Sequence, residues 1–267
     1  VTQSIIRFLI REPADAYQAK AAEHLTSHRL ADFRKCPVLY RRKQLGLIKD
    51  EDRPAYRLGR AAHVLILEGR DRFEARYAVG GPINQKTGQP YGPRTKAYAE
   101  WAASLDKEVL TDDEATLCAR MNAGVGANEI ASDLLAEGIP EGVVRTEHCG
   151  ISCQARIDWI NPQRGIIDLK TCDDLTYLES DARRYGYAYQ LAFYRALLAK
   201  ACGDRLPVYL VAVEKKEPFR CGVWRMGEDV LALAQKENEE AIERLKRCRE
   251  ADTWPTLYED LRVFDYL

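Results

Sequence analysis

Residues 142–170 constrain this chain more than any other stretch. Three apolar-rich segments, 142–149, 151–160 and 165–170, follow one another across turns at Gly150 and at Asn161-Pro162-Gln163-Arg164-Gly165. That spacing predicts three sequential strands. Such a sheet buries its apolar face only if helices cover it. Helical patterning supplies the cover. It runs through 11–48 after an extended start, with Thr26 or Ser27 as an N-cap, and through 52–70, 95–107 and 112–137. It returns at 174–200, broken near Tyr185-Gly186, and at 228–250. On 52–70, Leu58, Ala62, Leu65 and Ile66 mark the buried face. Two more strands, 206–214 and 219–226, flank the polar turn KKEP. The expected fold is α/β in a mixed α+β form, a central mixed sheet flanked by helices. One domain is expected over 1–267, with a mainly helical region over 1–137, a core over 138–250 and a tail over 251–267. Residues 80–94, rich in Gly and Pro, read as a long surface loop.

Polar chemistry concentrates in RIDWINPQRGIIDLKT, residues 156–171. Strand alternation puts Cys153, Ala155, Ile157 and Trp159 on one face and Gln154, Arg156 and Asp158 on the other. On the next strand Asp168 and Lys170 share a face opposite Ile167 and Leu169. A short turn makes the two strands antiparallel neighbours, so Asp158 and Asp168 approach each other. Paired carboxylates repel unless a cation neutralises them, and oxygen ligands suit Mg2+ or Mn2+. Lys170, one step along, can orient a water or stabilise charge on a phosphate. Asp-x-Lys alone is commonly a solvated strand face, so weight falls on two helical motifs. In LGRAAH, Gly59 and His63 lie one turn apart. In YGYAYQLAFYRALL, so do Gln190 and Tyr194.

The order GxxxH, D, DxK, QxxxY is rarer than any of its parts. With LTSHRLADFRKCPVLY, VYLVAVEKKEPFRCGVWRMG and Trp254-Pro255, it covers most of the chain. Here the sequence resembles the RecB-like branch of the PD-(D/E)XK nucleases, and within it the nuclease domains of the exodeoxyribonuclease VIII (RecE-like) type. The resemblance implies a restriction-endonuclease-like core with metal ligands on adjacent strands. His63, Asp158, Asp168 and the Leu169 carbonyl would hold one or two Mg2+ or Mn2+ ions. Lys170 would be the catalytic lysine, and Gln190 and Tyr194 would support the site. It further implies digestion of linear double-stranded DNA, 5′→3′, a ring-shaped homo-oligomer and a single-strand annealing partner in phage-type recombination or repair. Asp168 stands where many relatives carry Glu. Arg156 adds a positive charge beside the metals, either contacting phosphate or pairing with Glu147, itself a candidate site residue.

The net charge of −1 gives no global nucleic-acid signal, so DNA contacts must be local. Candidates are Ser27 at a helix start, Arg34, Arg156 and Gln190. Further basic residues lie at Lys35, Arg41, Arg42, Lys43, Lys86, Arg94, Lys96, Arg183 and Arg184. The eight cysteines form no Cys-x-x-Cys pair and no tight triplet, which argues against a zinc knuckle or an iron–sulfur cluster and for reduced thiols. The chain begins with Val rather than Met, as in a fragment or a processed chain. No secretory pattern and no membrane-length apolar run appear, so a cytoplasmic protein is expected. Two alternatives remain open: an endonuclease or single-strand nuclease on the same core, and a catalytically inactive DNA-binding or scaffold protein.

Overall fold

A hydroxyl starts the first covered helix. Thr26 Oγ1 accepts the Arg29 N–H and caps α2 (Ser27–Lys35), which follows α1 (Ala14–Ala19). Pro37 then opens α3 (Pro37–Gln44), where its missing N–H costs nothing. The computed structural model describes residues 8–51 and 54–265, with backbone alone at 54–55. Helix α4 (Pro54–His63) runs into a π-turn, Val64–Glu68, and Gly69, at φ +86°, ends it ahead of α5 (Arg70–Arg76). The wider π-turn shifts the inward face. Ala61, Ala62, Val64 and Leu67 are buried, whereas Leu58, Leu65 and Ile66 are only partly covered, a correction to the helical periodicity.

Three other boundaries also differ from the sequence pattern. Tyr77–Val79 (β1) and Glu108–Leu110 (β2) form a small parallel pair that no alternation announced. The intervening helix, α6 (Lys96–Ala103), is therefore shorter than 95–107. The helical stretch after it is two helices, α7 (Asp112–Gly126) and α8 (Glu129–Ala136), because the Asn128 side chain caps the second.

Among the described residues the main sheet is five-stranded in the order β3-β4-β5-β6-β7, comprising Ile139–His148, Ile151–Asn161, Gly165–Cys172, Val208–Glu214 and Cys221–Arg225. All neighbours are antiparallel except β5 and β6, which are parallel and joined through α9 (Leu178–Tyr185) and α10 (Tyr187–Cys202). Parallel strands are covered on both faces, which explains the unbroken apolar run of β6. One layer packs α2, α10 and the closing helix α11 (Glu228–Ala251) on the sheet, through Leu30, Phe33, Ile157, Phe193, Leu197 and Ile242. The opposite layer packs α4, α7 and α8, through Ala62, Met121, Val125, Leu169 and Val211. Burying one such Leu or Phe contributes roughly 1.5–3 kcal/mol.

Two details aim the site. Gly186, at φ +72°, separates α9 from α10, and a Cβ there would lie 3.2 Å from the Tyr189 ring. The sharp turn brings the start of α10 over β5. On β4, Cys153, Ala155 and Ile157 pack in the first layer but Trp159 packs in the second. The simple alternation therefore fails at Asp158. Gln154 is also fully buried: its amide donates to the Tyr17 carbonyl and its oxygen accepts from Arg145.

Candidate active site

The β4–β5 ladder stops where the carboxylates begin. Pairing runs Asn161 with Gly165, Ile160 with Ile166 and Trp159 with Ile167. At the next step, Asp158 opposite Asp168, the strands separate. The Asp158 carboxylate fills the gap and accepts the Leu169 N–H at 2.9 Å through Oδ2. A side chain thus replaces a ladder bond, which leaves the fork open to chemistry.

One flank of the fork is made by α4. His63 Nδ1 lies 3.6 Å from Asp158 Oδ2. A Cβ on Gly59, one turn earlier, would meet Thr171 Oγ1 at an ordinary 3.7 Å, so α4 rides close on β5 here. Burial, reinforced by Lys170, lowers the His63 imidazole to about 4, so it is neutral near pH 7 and free to ligate. Its environment includes a hydrogen bond with the Leu169 backbone. A third candidate ligand was missed by sequence reading. Glu141 on β3, at φ +54°, stands opposite Asp158 between the paired residues Pro140–Trp159 and Gly142–Ile157. His63, Glu141 and Asp158 offer ligand atoms all within 4.8 Å of one another. Burial, then the neighbouring Asp158, pushes the Glu141 carboxyl up.

The other flank is made by β5 and α10. Asp168 has no exposed surface. The Lys170 ammonium lies 2.5 Å from its Oδ2. Burial raises Asp168 to about 6 against the pull of Lys170. Asp158 is likewise raised by burial. Lys170 keeps its charge. Burial opposes the ammonium, but Asp168 and Asp158 outweigh it and raise its pKa. Its Nζ also sits 5.0 Å above the Tyr187 ring, a contact sequence reading did not anticipate. Gln190 Nε2 donates to the Tyr194 hydroxyl at 2.8 Å and approaches Asp168 Oδ1 at 3.4 Å. One helical turn therefore holds the second carboxylate.

These donors fit a hard divalent cation. Two carboxylates and a neutral imidazole converge, Asp168 lies beside them paired with Lys170, and burial pushes all three carboxyls towards protonation. Residues 27–265 match the family described as PDDEXK-like domain of unknown function (DUF3799). The chain belongs to this family.

The PDDEXK-like fold is also found in a solved structure from Eubacterium rectale, a protein to which exonuclease activity has been ascribed. That structure aligns with a TM-score of 0.69 at 16% identity, over 97% of this chain and 96% of the other. A second structure, LHK-Exo in complex with dAMP, aligns at 16% identity over 88% of this chain and 95% of the other, but its TM-score of 0.32 carries no argument. No curated protein matches the chain.

Other expected site residues of this PDDEXK-like domain fall in different places. Glu147 is exposed and pairs in register with Ser152, so it is not in the cluster. Arg156 instead meets Glu141, with Nε 2.8 Å from Oε2. Ser27 is nearly buried, and the neighbouring Thr26 hydroxyl is occupied as a cap. Arg34 donates to Asn238 at 2.5 Å and lies 3.6 Å over the Tyr189 ring. Lys43 is held by Asp32 and Asp50. A cleft of about 810 Å³ reaches Glu141, Arg156 and Trp159, and Arg11, Arg72 and Arg76 also line it. Charge of both signs lines this adjoining cleft, where Glu12, Asp15 and Glu68 lie among the arginines. Among the described residues no helix is long and apolar enough to cross a membrane.

Proposed function

We propose that the chain is a divalent-metal-dependent deoxyribonuclease that degrades linear double-stranded DNA from its ends. The observation that carries this reading is the meeting of His63, Glu141 and Asp158 beside the Asp168–Lys170 pair. His63, Glu141, Asp158 and Asp168, with the Leu169 carbonyl, would hold one or two ions, Mg2+ or Mn2+. Such an ion, when bound, supplies Lewis-acid polarisation of the scissile phosphate. Lys170 faces the same space with its charge intact. It stabilises negative charge building on the phosphate oxygens as water attacks phosphorus and the bond to the leaving oxygen breaks. A lysine held protonated suits that role better than the role of a base. Gln190 fixes Asp168, and Tyr194 fixes Gln190. Arg156 and the arginines of the adjoining cleft supply sequence-independent phosphate contacts.

End-dependent digestion follows the activity ascribed to the Eubacterium rectale protein and the resemblance to RecE-like nuclease domains. The same resemblance supports 5′→3′ polarity, a ring-shaped homo-oligomer and an annealing partner in recombination. Digestion of end-labelled linear duplex against covalently closed circles, with Mg2+, tests the reading. Linear DNA should shorten while circles survive. Cut circles would assign an endonuclease, and no cleavage of these or of single strands would favour a binding or scaffold protein.

A further inference from the structure

We infer that the β3–β4 hairpin carries a second metal site, of the zinc class, formed by His148, Cys149 and Glu239. Their ligand atoms lie within 4.8 Å of one another, and all three side chains are partly buried. They come from separate elements: the last residue of β3, the turn, and the middle of α11. A nitrogen, a sulfur and a carboxylate oxygen form a donor set that suits Zn2+ and is foreign to Mg2+. The set shares no residue with the fork between β4 and β5.

A second observation points to a role for the cysteine. The hairpin closes through only Cys149 and Gly150, since His148 pairs with Ile151. Both turn residues have positive φ, +51° and +73°. Turns of this kind favour Asn, Asp or Gly at the first position, and a Cys there carries a backbone cost. Ligation supplies a reason to keep it. The surroundings also hold the ligands in place. Gln235 Nε2 donates to Glu239 Oε1 at 2.8 Å, and that oxygen lies 3.7 Å from His148 Nε2. Lys246 donates to the Cys149 carbonyl at 3.3 Å, pinning the turn to α11. His148 and Gln235 border a cavity of about 370 Å³. Bound metal would clamp the hairpin to α11.

Titration of the reduced protein with Co2+ tests the site. One equivalent should produce a thiolate-to-cobalt charge-transfer band, and Zn2+ should displace it. The donors at the β4–β5 fork include no sulfur, so the band does not depend on that site or on nuclease activity. Cys149→Gly suits the positive φ and should fold while losing the band, and Cys149→Ser should lose it as well. His148→Ala and Glu239→Gln should each weaken Co2+ binding by at least about tenfold. Zn2+ should raise the Tm of the parent protein by more than that of Cys149→Gly, in which only the β4–β5 fork can take it up. Absence of the band, or its persistence in Cys149→Gly, would overturn the site.

Discussion

The Leu169 N–H donates to the Asp158 carboxylate at 2.9 Å, in the place where a strand-to-strand bond would otherwise form. This contact links the fold to the chemistry, because the residue that props the fork open is also a metal ligand in the proposed site. Asp158→Ala should free a buried N–H and lower stability by about 1–3 kcal/mol. It should also remove detectable metal uptake. Asp158→Asn keeps an acceptor and should recover most of the stability but not the metal. Denaturant melts and calorimetry on the two variants separate these effects.

Lys170→Ala should lower turnover on end-labelled duplex by about 10²-fold or more, since it deletes a fixed charge aimed at the reacting phosphate. The far-ultraviolet dichroism spectrum should stay unchanged. Activity equal to that of the parent would remove Lys170 from the mechanism.

Glu141 and Glu147 form a contrasting pair. Glu141 joins the ligand cluster and Glu147 faces solvent on the same strand. Glu141→Gln should weaken Mn2+ binding at least about tenfold by calorimetry. Glu147→Gln should leave it unchanged. Equal effects would displace Glu141 from the site.

Metal-induced stabilisation should depend on pH. The Asp168 carboxyl is raised from 3.8 to about 6, so the folded apo protein binds this proton more tightly than the unfolded chain does. Ionised Asp168 therefore costs apo stability above about pH 6, and that cost fades as pH falls towards 3.8. Protons and metal compete for the carboxylate. The rise in Tm with Mg2+ or Mn2+ should shrink as pH falls, first where the raised Glu141 carboxyl takes up its proton and further below about pH 6 as Asp168 does, while His63, titrating near 4, stays neutral in that window. Thermal melts with and without metal across pH 5–8 would show it, and a flat difference would contradict it.

Gly165 opens β5 at φ +148°, and a Cβ there would fall 2.2 Å from the Pro207 carbonyl oxygen. Gly165→Ala should destabilise by about 1–3 kcal/mol, because backbone must move to admit the methyl. Activity per folded molecule should fall too, since β5 carries Asp168 and Lys170. Unchanged melting would show that the β5–β6 edge yields more easily than this contact implies.

Much of the fold was legible locally. The two tight turns around β4, the Thr26 cap, the break at Gly186 and the apolar run of β6 are short-range signals, so the adjacency of β3, β4 and β5 and many boundaries follow from them. Asp158, Asp168 and Lys170 were legible for the same reason. A hairpin with a short turn places neighbours by counting, and the Gln190–Tyr194 spacing is one helical turn. Glu141 was not legible. Nothing in its neighbourhood announces a positive φ, and its meeting with His63 and Asp158 needs β3, β4 and α4 packed together. The π-turn after His63 and the change of layer between Ile157 and Trp159 escaped for a related reason. Periodicity assumes regular geometry, whereas these departures are set by side chains packing from both layers. Sequence alone thus determined the five strands of the main sheet, most of the helices, and which carboxylates and lysine share the hairpin. The tertiary structure decided which glutamate completes the cluster, because that choice depends on contacts between segments far apart along the chain.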